Sequence, residues 1–592
     1  RTVTATIRRL VDRGVPMTAR DGVVLRSVVH RVADRDTQPI ALVRNPYGEP
    51  LTRNLPVWAL LDAGFAVVIQ DCRGTADSDG QFVPFEGEAA DTVDAIEWAG
   101  ALPFSDGRVV MYGASYSGMV QLAAAVRQPA ALAGIIPVVA PDDYHTRLAY
   151  RGGAFQMGQL TGWYTMKSLQ SLQYRAAAGE DVRELFGRFA RHAADPWRSI
   201  ASGPLAEAPV LSELFPTWGR WTGNDAAGDY WPTVSYRDQR DRIAVPGLHI
   251  GGWFDLFLGG TLANFTELQA HAATERARAG QRLIIGPWQH TDQSGTVGDL
   301  SFGAASSAAG IGLEATVTGF AAAAAGDTDI PGPAVRVYVM NAGRWREADT
   351  WPLPQAVPTP WYLQPGGGLS PQAPGADGGE SGFVHDPTDP VPMRGGQSGI
   401  FAGGLGGGVE WGPGPRDQRP LDDRGDLLRF TSAPLDADLE ATGPVTVRLH
   451  AATDADDTDF VARLIDVYPD GRAIGVVDGI VRAKFRGGQD RARPITPGQL
   501  VEYEIDLWAT SWLFRAGHRI RIDVASSSYP NWDVNGGHLR NNATVDPTER
   551  RTATQRVRHD SAHPSHVVLP LVPPEPNREH LVPASAQQGD TQ

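Results

Sequence analysis

Hydrophobic and polar positions follow two different patterns along this chain, and roughly the first 140 residues follow a strand–helix alternation. Short apolar runs, each followed by Gly, Pro or Asp, are separated by stretches with helical spacing of apolar side chains. Such alternation predicts an α/β domain with a mostly parallel sheet, and the same pattern returns between residues 241 and 350. The predicted strands are Ile40–Val43, Ala66–Ile69, Val109–Tyr112, Gly247–Ile250 and Arg282–Ile285, and the predicted helices are Ala89–Trp98, Ser117–Arg127 and Leu262–Ala279.

Residues 145–240 have a different composition, rich in Ala, Leu, Arg, Gln and Trp. Helical periodicity is clearest in Asp181–Arg191, and no segment has the pattern of a strand. We therefore predict a helical cap inserted into the α/β domain, which consists of residues 1–144 and 241–350.

Beyond residue 350 the apolar positions change to the two-residue period of half-buried strands. A series of such strands separated by Gly and Pro turns predicts a β-sandwich of jelly-roll type over residues 351–592, with the glycine-rich run 403–408 as a long loop. The alternation is clearest at Val445, Val447 and Leu449, at Tyr503, Ile505 and Leu507, and at Ile520, Ile522 and Val524.

Composition narrows the class of protein. The 592 residues carry a net charge of −15 and contain no run of Lys or Arg, which argues against a nucleic-acid partner. No apolar stretch of about 18 residues predicts a helix across a membrane. The single cysteine, Cys72, can form neither an intrachain disulfide nor a four-cysteine metal site. Because the chain starts at Arg1 without a signal pattern, we expect a cytoplasmic location, with secretion after loss of a leader as the alternative.

The segment Val109–Gly118 carries the strongest chemical signal in the sequence. A strand-like run leads to Ser115, with Gly113 two positions before it and Gly118 three positions after it, and a helix-like stretch follows. This is the strand–turn–helix context of a nucleophile elbow, in which side chains at the two glycine positions would collide with neighbouring backbone. The second glycine lies one position later than in the common G-x-S-x-G form, so an ordinary strand–helix turn stays the alternative.

A nucleophilic serine needs a base, and in this fold class the acid and then the base follow the serine in the chain. Asp255 comes just after the strand-like Leu248–Ile250, and His290 comes just after Leu283–Ile285. Since loops gather at the carboxyl ends of parallel strands, we expect Asp255 and His290 to meet Ser115 there. Taken singly, each of them is also compatible with a solvated loop residue.

An acyl-transfer site also needs donors for the oxyanion of the tetrahedral intermediate. The backbone N–H of Tyr116 is supplied by the elbow itself. Tyr47 lies in Arg44–Tyr47, after the first predicted strand, and its hydroxyl is the second candidate, with a tyrosine of the core or the rim as the alternative.

Several longer motifs occur in chain order across both halves of the sequence. They are Arg44-Asn45-Pro46-Tyr47, Asp71-x-Arg73-Gly74, Gly113-x-Ser115-Tyr116-x-Gly118, Gly252-Trp253-x-Asp255 and Ile285-Gly286-Pro287-Trp288-x-His290, followed by Asp417-Gln418, Thr431-Ser432-Ala433-Pro434-Leu435, Asp457-Thr458-Asp459-Phe460 and Val467-Tyr468-Pro469-Asp470-Gly471. With these motifs the chain resembles the CocE/NonD hydrolases, which include cocaine esterase, α-amino acid ester hydrolases and glutaryl acylases and are related to X-prolyl dipeptidyl peptidases.

The resemblance implies an α/β-hydrolase domain, a helical cap and a C-terminal jelly roll. It implies Ser115 as nucleophile, Asp255 as acid, His290 as base, and Tyr47 and Tyr116 as the oxyanion hole. A serine hydrolase of this kind cleaves esters or amides of small molecules through an acyl-enzyme and requires no metal or organic cofactor. The resemblance and the free edges of a sandwich together make a homodimer an expectation.

The substrate is the least determined part of the sequence reading. Trp253, Phe257 and Trp288 flank the predicted triad in sequence, and Trp163 lies in the predicted cap. All four could line a pocket for an aromatic or bulky apolar acyl group, or they could be core. Relatives that act on α-amino acyl groups hold the ammonium with carboxylates. The acidic pairs at residues 142–143 and 180–181 are candidates for that role, with solvated pairs on surface loops as the alternative. An X-prolyl peptidase and a non-catalytic carbohydrate-binding protein are the remaining alternatives.

Overall fold

The computed structural model describes residues 8–33, 35–48, 56–398 and 411–574. The glycine-rich run 403–408 and the end of the predicted C-terminal domain lie outside these described residues. Within them, no helix combines the length and the apolar character that crossing a membrane would take.

In the part of the N-terminal half that the structure describes, the strands form a mixed ten-stranded sheet with the order β1-β2-β4-β3-β5-β6-β9-β10-β13-β14. Its central strands, from β4 to β13, are parallel, and the outer pairs are antiparallel. The strands of this half are β1 (Arg9–Thr18), β2 (Val24–Val32), β3 (Gln38–Asn45), β4 (Ala66–Asp71), β5 (Ser105–Ala114), β6 (Leu132–Val138), β7 (Tyr150–Arg151), β8 (Ala154–Phe155), β9 (Leu248–Gly252), β10 (Arg282–Gly286), β11 (Thr296–Val297), β12 (Leu300–Ser301), β13 (Val335–Val339) and β14 (Arg344–Ala348). All five strands predicted from apolar runs are therefore confirmed.

Helices cover both faces of this sheet, as the buried strands require. Helices α2 and α3 pack on one face, in one apolar core with the aromatic residues of the predicted cap, and α1 and α12 pack on the other. The helices are α1 (Val57–Asp62), α2 (Glu88–Gly100), α3 (Tyr116–Ala125), α4 (Met157–Ala177), α5 (Arg183–Ala194), α6 (Pro196–Ile200), α7 (Leu211–Leu214), α8 (Pro216–Gly223), α9 (Trp231–Val234), α10 (Leu258–His271), α11 (Glu275–Ala279) and α12 (Leu313–Ala325).

Residues 145–240 contain α4 to α9 and, contrary to the prediction, one short strand pair, β7 with β8. A strand of two residues is too short to show a periodicity in the sequence. The predicted domain boundaries at residues 144, 240 and 350 stay predictions, because secondary structure alone does not define where a domain ends.

The described residues of the C-terminal half form a β-sandwich of twelve connected strands. Among these strands every pairing that the structure describes is antiparallel except that of β16 with β18. The alternating triplets predicted as strands lie in β19, β22 and β23, with their apolar members buried. The strands are β15 (Val357–Gln364), β16 (Gly368–Ser370), β17 (Glu380–His385), β18 (Leu428–Ser432), β19 (Leu439–Thr453), β20 (Asp459–Val467), β21 (Ala473–Arg482), β22 (Val501–Phe514), β23 (Arg519–Ala525), β24 (Ala553–Asp560), β25 (His563–Pro564) and β26 (His566–Val572).

Candidate active site

Ser115 lies at the sharp turn between β5 and α3, at the carboxyl edge of the parallel sheet. Its backbone has φ 58° and ψ −121°, a strained conformation for a residue with a side chain. A Cβ on Gly113 would come within 2.4 Å of the Ser117 Cβ, and one on Gly118 within 2.8 Å of the Ala140 Cβ. The two glycines that flank the serine are therefore required by the tight turn, as expected for a nucleophile elbow.

Asp255 and His290 follow β9 and β10, and the structure brings both of them to Ser115. His290 Nε2 lies 2.9 Å from Ser115 Oγ, and His290 Nδ1 lies 2.6 Å from Asp255 Oδ1. The second carboxylate oxygen of Asp255 accepts a hydrogen bond from the Phe257 N–H at 3.0 Å. Because the carboxylate can only accept, the Nδ1 proton faces Asp255 and Nε2 is left to accept the hydroxyl proton of Ser115.

Tyr47 reaches the same site from the end of β3, and its hydroxyl oxygen accepts one hydrogen bond. The indole Nε1–H of Trp163 donates to the Tyr47 oxygen at 3.1 Å. An indole N–H can only donate, so the phenolic proton of Tyr47 remains available to a nearby acceptor. Burial raises the pKa of Tyr47 to about 12, while the hydrogen bond from Trp163 and the nearby Ser115 hydroxyl act in the opposite direction. Tyr47 therefore stays a neutral donor beside the nucleophile.

Tyr116 is the first residue of α3, where backbone N–H groups have no partner within the helix. Its side chain points into the protein: the hydroxyl donates to Glu88 Oε1 at 2.9 Å and accepts from the Phe85 N–H at 3.0 Å. Glu88 is in turn paired with the fully buried Arg44 at 2.9 Å. This buried network fixes Tyr116, and with it the N–H next to Ser115.

A small, mostly apolar cavity of about 40 Å³ opens at these groups. Phe257 and Trp163, two of the four predicted pocket residues, line it. The sequence did not single out six other lining side chains: Met119 and Leu256 lie next to the predicted site residues but read as ordinary core positions, and no motif marks Phe85, Leu148, Gln159 and Leu160. The full lining is Tyr47, Phe85, Ser115, Tyr116, Met119, Leu148, Gln159, Leu160, Trp163, Leu256, Phe257 and His290.

The other two predicted pocket residues, Trp253 and Trp288, do not reach this cavity. The Trp253 indole donates to the Tyr338 carbonyl at 2.8 Å, and the Trp288 indole donates to the Ser306 carbonyl at 2.8 Å. Both rings are 1% exposed and belong to the cores behind the sheet edge. The structure thus places both residues in the core, the alternative that the sequence left open, and outside the lining of this cavity. Their part in substrate binding stays a prediction.

The acidic pairs considered for an ammonium group also lie elsewhere. Asp142 is paired with Arg147 and Arg240, while Asp143 accepts from Thr146 and Ser235. The pair at residues 180–181 is bound by nearby arginines at the surface. Asp143 faces a larger cleft of about 880 Å³, which neither Ser115 nor His290 lines. We therefore place the chemistry at the smaller cavity. Within the described part of the chain, no three His, Cys, Asp or Glu side chains are grouped to hold a metal.

Comparison with known proteins agrees with this arrangement. Residues 21–292 match the X-Pro dipeptidyl-peptidase (S15 family), and residues 331–568 match the X-Pro dipeptidyl-peptidase C-terminal non-catalytic domain. Cocaine esterase of Rhodococcus sp. (strain MB1 Bresler) is 35% identical over 580 residues, which cover 94% of this chain and 97% of that protein.

Two solved structures show the same fold at 24% identity, each covering 96% of this chain and 97% of its own. They are an aminopeptidase from the marine sediment archaeon Thaumarchaeota archaeon, with a TM-score of 0.80, and an α-amino acid ester hydrolase, with a TM-score of 0.78. The fold and the matches define a serine hydrolase of the α/β-hydrolase class. Within that class, the chain belongs to the CocE/NonD family.

Proposed function

We propose that this chain hydrolyses carboxylic esters of small molecules through an acyl-enzyme on Ser115. The observation that carries the proposal is the continuous hydrogen-bonded series from Asp255 through His290 to Ser115, with contacts of 2.6 and 2.9 Å. Nucleophile, base and orienting acid within this reach are the requirement for an activated serine.

The proposed reaction has two halves. In the first, Ser115 Oγ attacks the ester carbonyl while His290 Nε2 takes the hydroxyl proton, and the Tyr47 hydroxyl and the Tyr116 N–H hydrogen-bond the oxyanion. The C–O bond to the alcohol then breaks, and His290 returns the proton to the leaving alcohol. In the second half water attacks the acyl-enzyme while His290 takes one of its protons. The C–O bond to Ser115 Oγ then breaks, and His290 returns the proton to Oγ as the acid leaves. No step uses a metal or an organic cofactor.

The cavity supports an apolar acyl group as the preferred substrate part. Its walls are aromatic and aliphatic apart from the reacting groups and one amide, Gln159. The Gln159 Nε2 donates to the Leu148 carbonyl at 2.8 Å, and a carbonyl can only accept, so the orientation of the amide is fixed. The Gln159 Oε1 is thereby left as an acceptor for a hydroxyl or N–H on the substrate.

An α-amino acid ester hydrolase or an X-prolyl peptidase is the alternative, and each of these acts on substrates with a free ammonium group. A buried ammonium group needs a carboxylate partner. Among the described residues that line the cavity there is no Asp or Glu. This supports a neutral acyl group over an amino-acyl group.

The test compares wild type, Ser115→Ala and Ser117→Ala on p-nitrophenyl acetate, butyrate and benzoate. Ser117 is the matched control, because it is the other serine of the same motif and makes no contact with His290 in the proposed mechanism. We expect Ser115→Ala to lose at least 10³-fold in kcat and Ser117→Ala to stay within a few-fold of wild type. Wild-type turnover by Ser115→Ala would rule out the mechanism.

A pair of methyl esters, phenylacetate and phenylglycine, decides the acyl preference, since they differ only by the α-amino group. We expect the higher kcat/KM on phenylacetate at a pH where the amine is charged. A preference for phenylglycine would favour the amino-acyl alternative and leave the role of Ser115 intact.

The remaining expectations on partners and location are also proposals. We propose a small-molecule substrate without a nucleic-acid or membrane partner, and a homodimer in solution. Light scattering after size-exclusion chromatography tests the dimer, and fractionation of the source cells tests the cytoplasmic location.

A further inference from the structure

The chain uses lysine at only two positions among its 53 Lys and Arg residues, Lys167 and Lys484. Both lysines are 1% exposed, whereas lysine is normally a surface residue. A chain that fills nearly every basic position with arginine has kept lysine at two buried sites. A compact amine with rotatable donors fits at such a buried site. A planar guanidinium has five donors and would need more acceptors there.

Lys167 lies against the segment that carries Tyr47. Its Nζ donates to the Pro46 carbonyl at 2.5 Å, 4.5 Å from the centroid of the Phe82 ring and 5.4 Å from that of the Tyr47 ring. Burial lowers the pKa of Lys167 to about 7. The charged and the neutral amine both carry N–H donors, so the bond to the Pro46 carbonyl does not depend on the charge.

The Pro46 carbonyl and the Tyr47 N–H belong to one peptide unit, and both of its polar groups are held. The N–H donates to Asn45 Oδ1 at 2.9 Å, and the carbonyl accepts from Lys167. The plane of this peptide sets the direction in which the Tyr47 side chain leaves the backbone. Lys167 therefore holds the backbone from which the Tyr47 side chain extends.

The far end of the same side chain is held by the same helix. Trp163 and Lys167 lie one turn apart on α4, so they face the same side, and the Trp163 indole donates to the Tyr47 hydroxyl. One helix of the predicted cap thus holds Tyr47 at its hydroxyl and at its backbone.

From this geometry we infer that Lys167 is a positioning residue, which aligns the Tyr47 hydroxyl with the oxyanion by anchoring the peptide before it. Nothing in the family motifs of this chain includes Lys167. The inference rests on the proposed function, because it acts through the proposed role of Tyr47. Misplacement of a catalytic group by about 1 Å can cost about 10²-fold in rate, so the anchor has a measurable effect.

The test is a double-mutant cycle of Lys167→Met and Tyr47→Phe, with kcat and KM measured on p-nitrophenyl butyrate. Methionine keeps the length and the burial of the side chain but removes the donor. We expect Lys167→Met to lower kcat about 10- to 100-fold with KM within about threefold of wild type. In the Tyr47→Phe background the same substitution is expected to change kcat less than twofold, because the hydroxyl it positions is gone.

Lys484→Met is the matched control, since Lys484 is the other buried lysine and pairs with Asp225 at 2.9 Å, outside the catalytic cavity. We expect this variant to be less stable than wild type, with kcat per folded molecule unchanged. If Lys167→Met does not fold, as judged by circular dichroism, Lys167→Gln enters the cycle, and its shorter donor is expected to retain part of the kcat.

An equal loss of kcat in both backgrounds would overturn the inference, as would a kcat of Lys167→Met within twofold of wild type. A Tyr47→Phe variant with unchanged kcat would overturn it too, because Lys167 would then have no oxyanion donor to position. Failure of the proposed function is a different result, namely wild-type turnover by Ser115→Ala, so the two failures are distinguishable.

Discussion

The hydroxyl of Tyr47 accepts a hydrogen bond from the Trp163 indole, and in the proposed reaction it donates one to the oxyanion. Only the donated bond takes part in the reaction. Tyr47→Phe removes a single oxygen from a side chain whose ring is held by its surroundings. We expect kcat to fall about 10²- to 10³-fold with little change in KM, which is the usual cost of one oxyanion-hole donor. The measurement is steady-state kinetics on p-nitrophenyl butyrate.

Trp163→Phe is the comparison for this prediction, because it removes the hydrogen bond that the Tyr47 oxygen accepts, along with part of a ring that lines the cavity, and leaves the Tyr47 hydroxyl in place. We expect a smaller loss than for Tyr47→Phe. A Tyr47→Phe variant with wild-type kcat would show that the phenol does not bind the oxyanion.

The three residues at strand ends were predictable from sequence, whereas the pocket residues were only partly so. Ser115, Asp255 and His290 each follow an apolar run, and parallel strands bring their carboxyl ends to one edge. Trp253 and Trp288 stand beside the same residues in sequence, but their rings turn into the cores behind the edge. Sequence distance does not determine which way a loop side chain turns, and this is why the sequence could not tell these two core rings from rings that line the cavity.

At the scale of secondary structure, the elbow depends on the close approach of α3 to β6. A Cβ on Gly118 would lie 2.8 Å from the Ala140 Cβ and 3.2 Å from the Val138 carbonyl oxygen. The backbone of Val138 and Ala140 cannot move away from this added Cβ without displacing Ser115. We therefore expect Gly118→Ala to destabilise the fold by about 1–3 kcal/mol and to lower kcat, as measured by urea unfolding and by turnover.

Gly319→Ala provides the matched control within another helix. Gly319 lies in α12, and a Cβ there would meet no atom within 4 Å. We expect this variant to gain about 0.5–1 kcal/mol, since alanine is the better helix former. Equal effects of the two substitutions would show that helix propensity and not packing at the elbow decides the result.

The strands of the sandwich were also predictable, but their full burial was not. The segment 520–524 alternates the apolar Ile520, Ile522 and Val524 with Arg521 and Asp523, which predicts a strand with one solvent-exposed face. In β23 these two polar residues are buried as well, and they pair with each other at 2.6 Å. A charged pair that neutralises itself permits burial of both faces, and the two-residue period cannot reveal this.

At the scale of the whole molecule, buried charges join the sandwich to the predicted cap. Arg482 of β21 binds Asp459 at 2.8 Å and Asp533 at 2.9 Å. Asp533 also accepts from the Phe155 N–H of β8 at 2.7 Å, and Lys484 binds Asp225 across the same contact. Sequence could not pair these residues, because they lie up to 378 positions apart.

Asp457 belongs to the same buried cluster, and its titration makes the free energy of unfolding of the protein depend on pH. The Asp457 carboxylate accepts hydrogen bonds from the backbone N–H of Lys484 at 2.9 Å and from the side-chain amide of Asn535 at 3.1 Å. Burial nevertheless raises its pKa from 3.8 to about 7, with Arg482 acting in the opposite direction. Between these two pH values the folded protein binds more protons at Asp457 than the unfolded chain does, so this residue's contribution to stability falls as pH rises from about 4 to about 7.

Asp457→Asn removes this titration, since an amide does not ionise in the range. We expect the free energy of unfolding of wild type, relative to Asp457→Asn, to fall as pH rises from 5 to 7 and to level off above 8, with a slope of at most about 1.4 kcal/mol per pH unit. Urea unfolding followed by tryptophan fluorescence measures it. Asp456→Asn, at the half-exposed neighbouring carboxylate, is expected to leave the wild-type pH profile unchanged. Parallel profiles for wild type and Asp457→Asn would show that Asp457 is ionised throughout, and that the cluster holds the sandwich to the predicted cap equally well at every pH in this range.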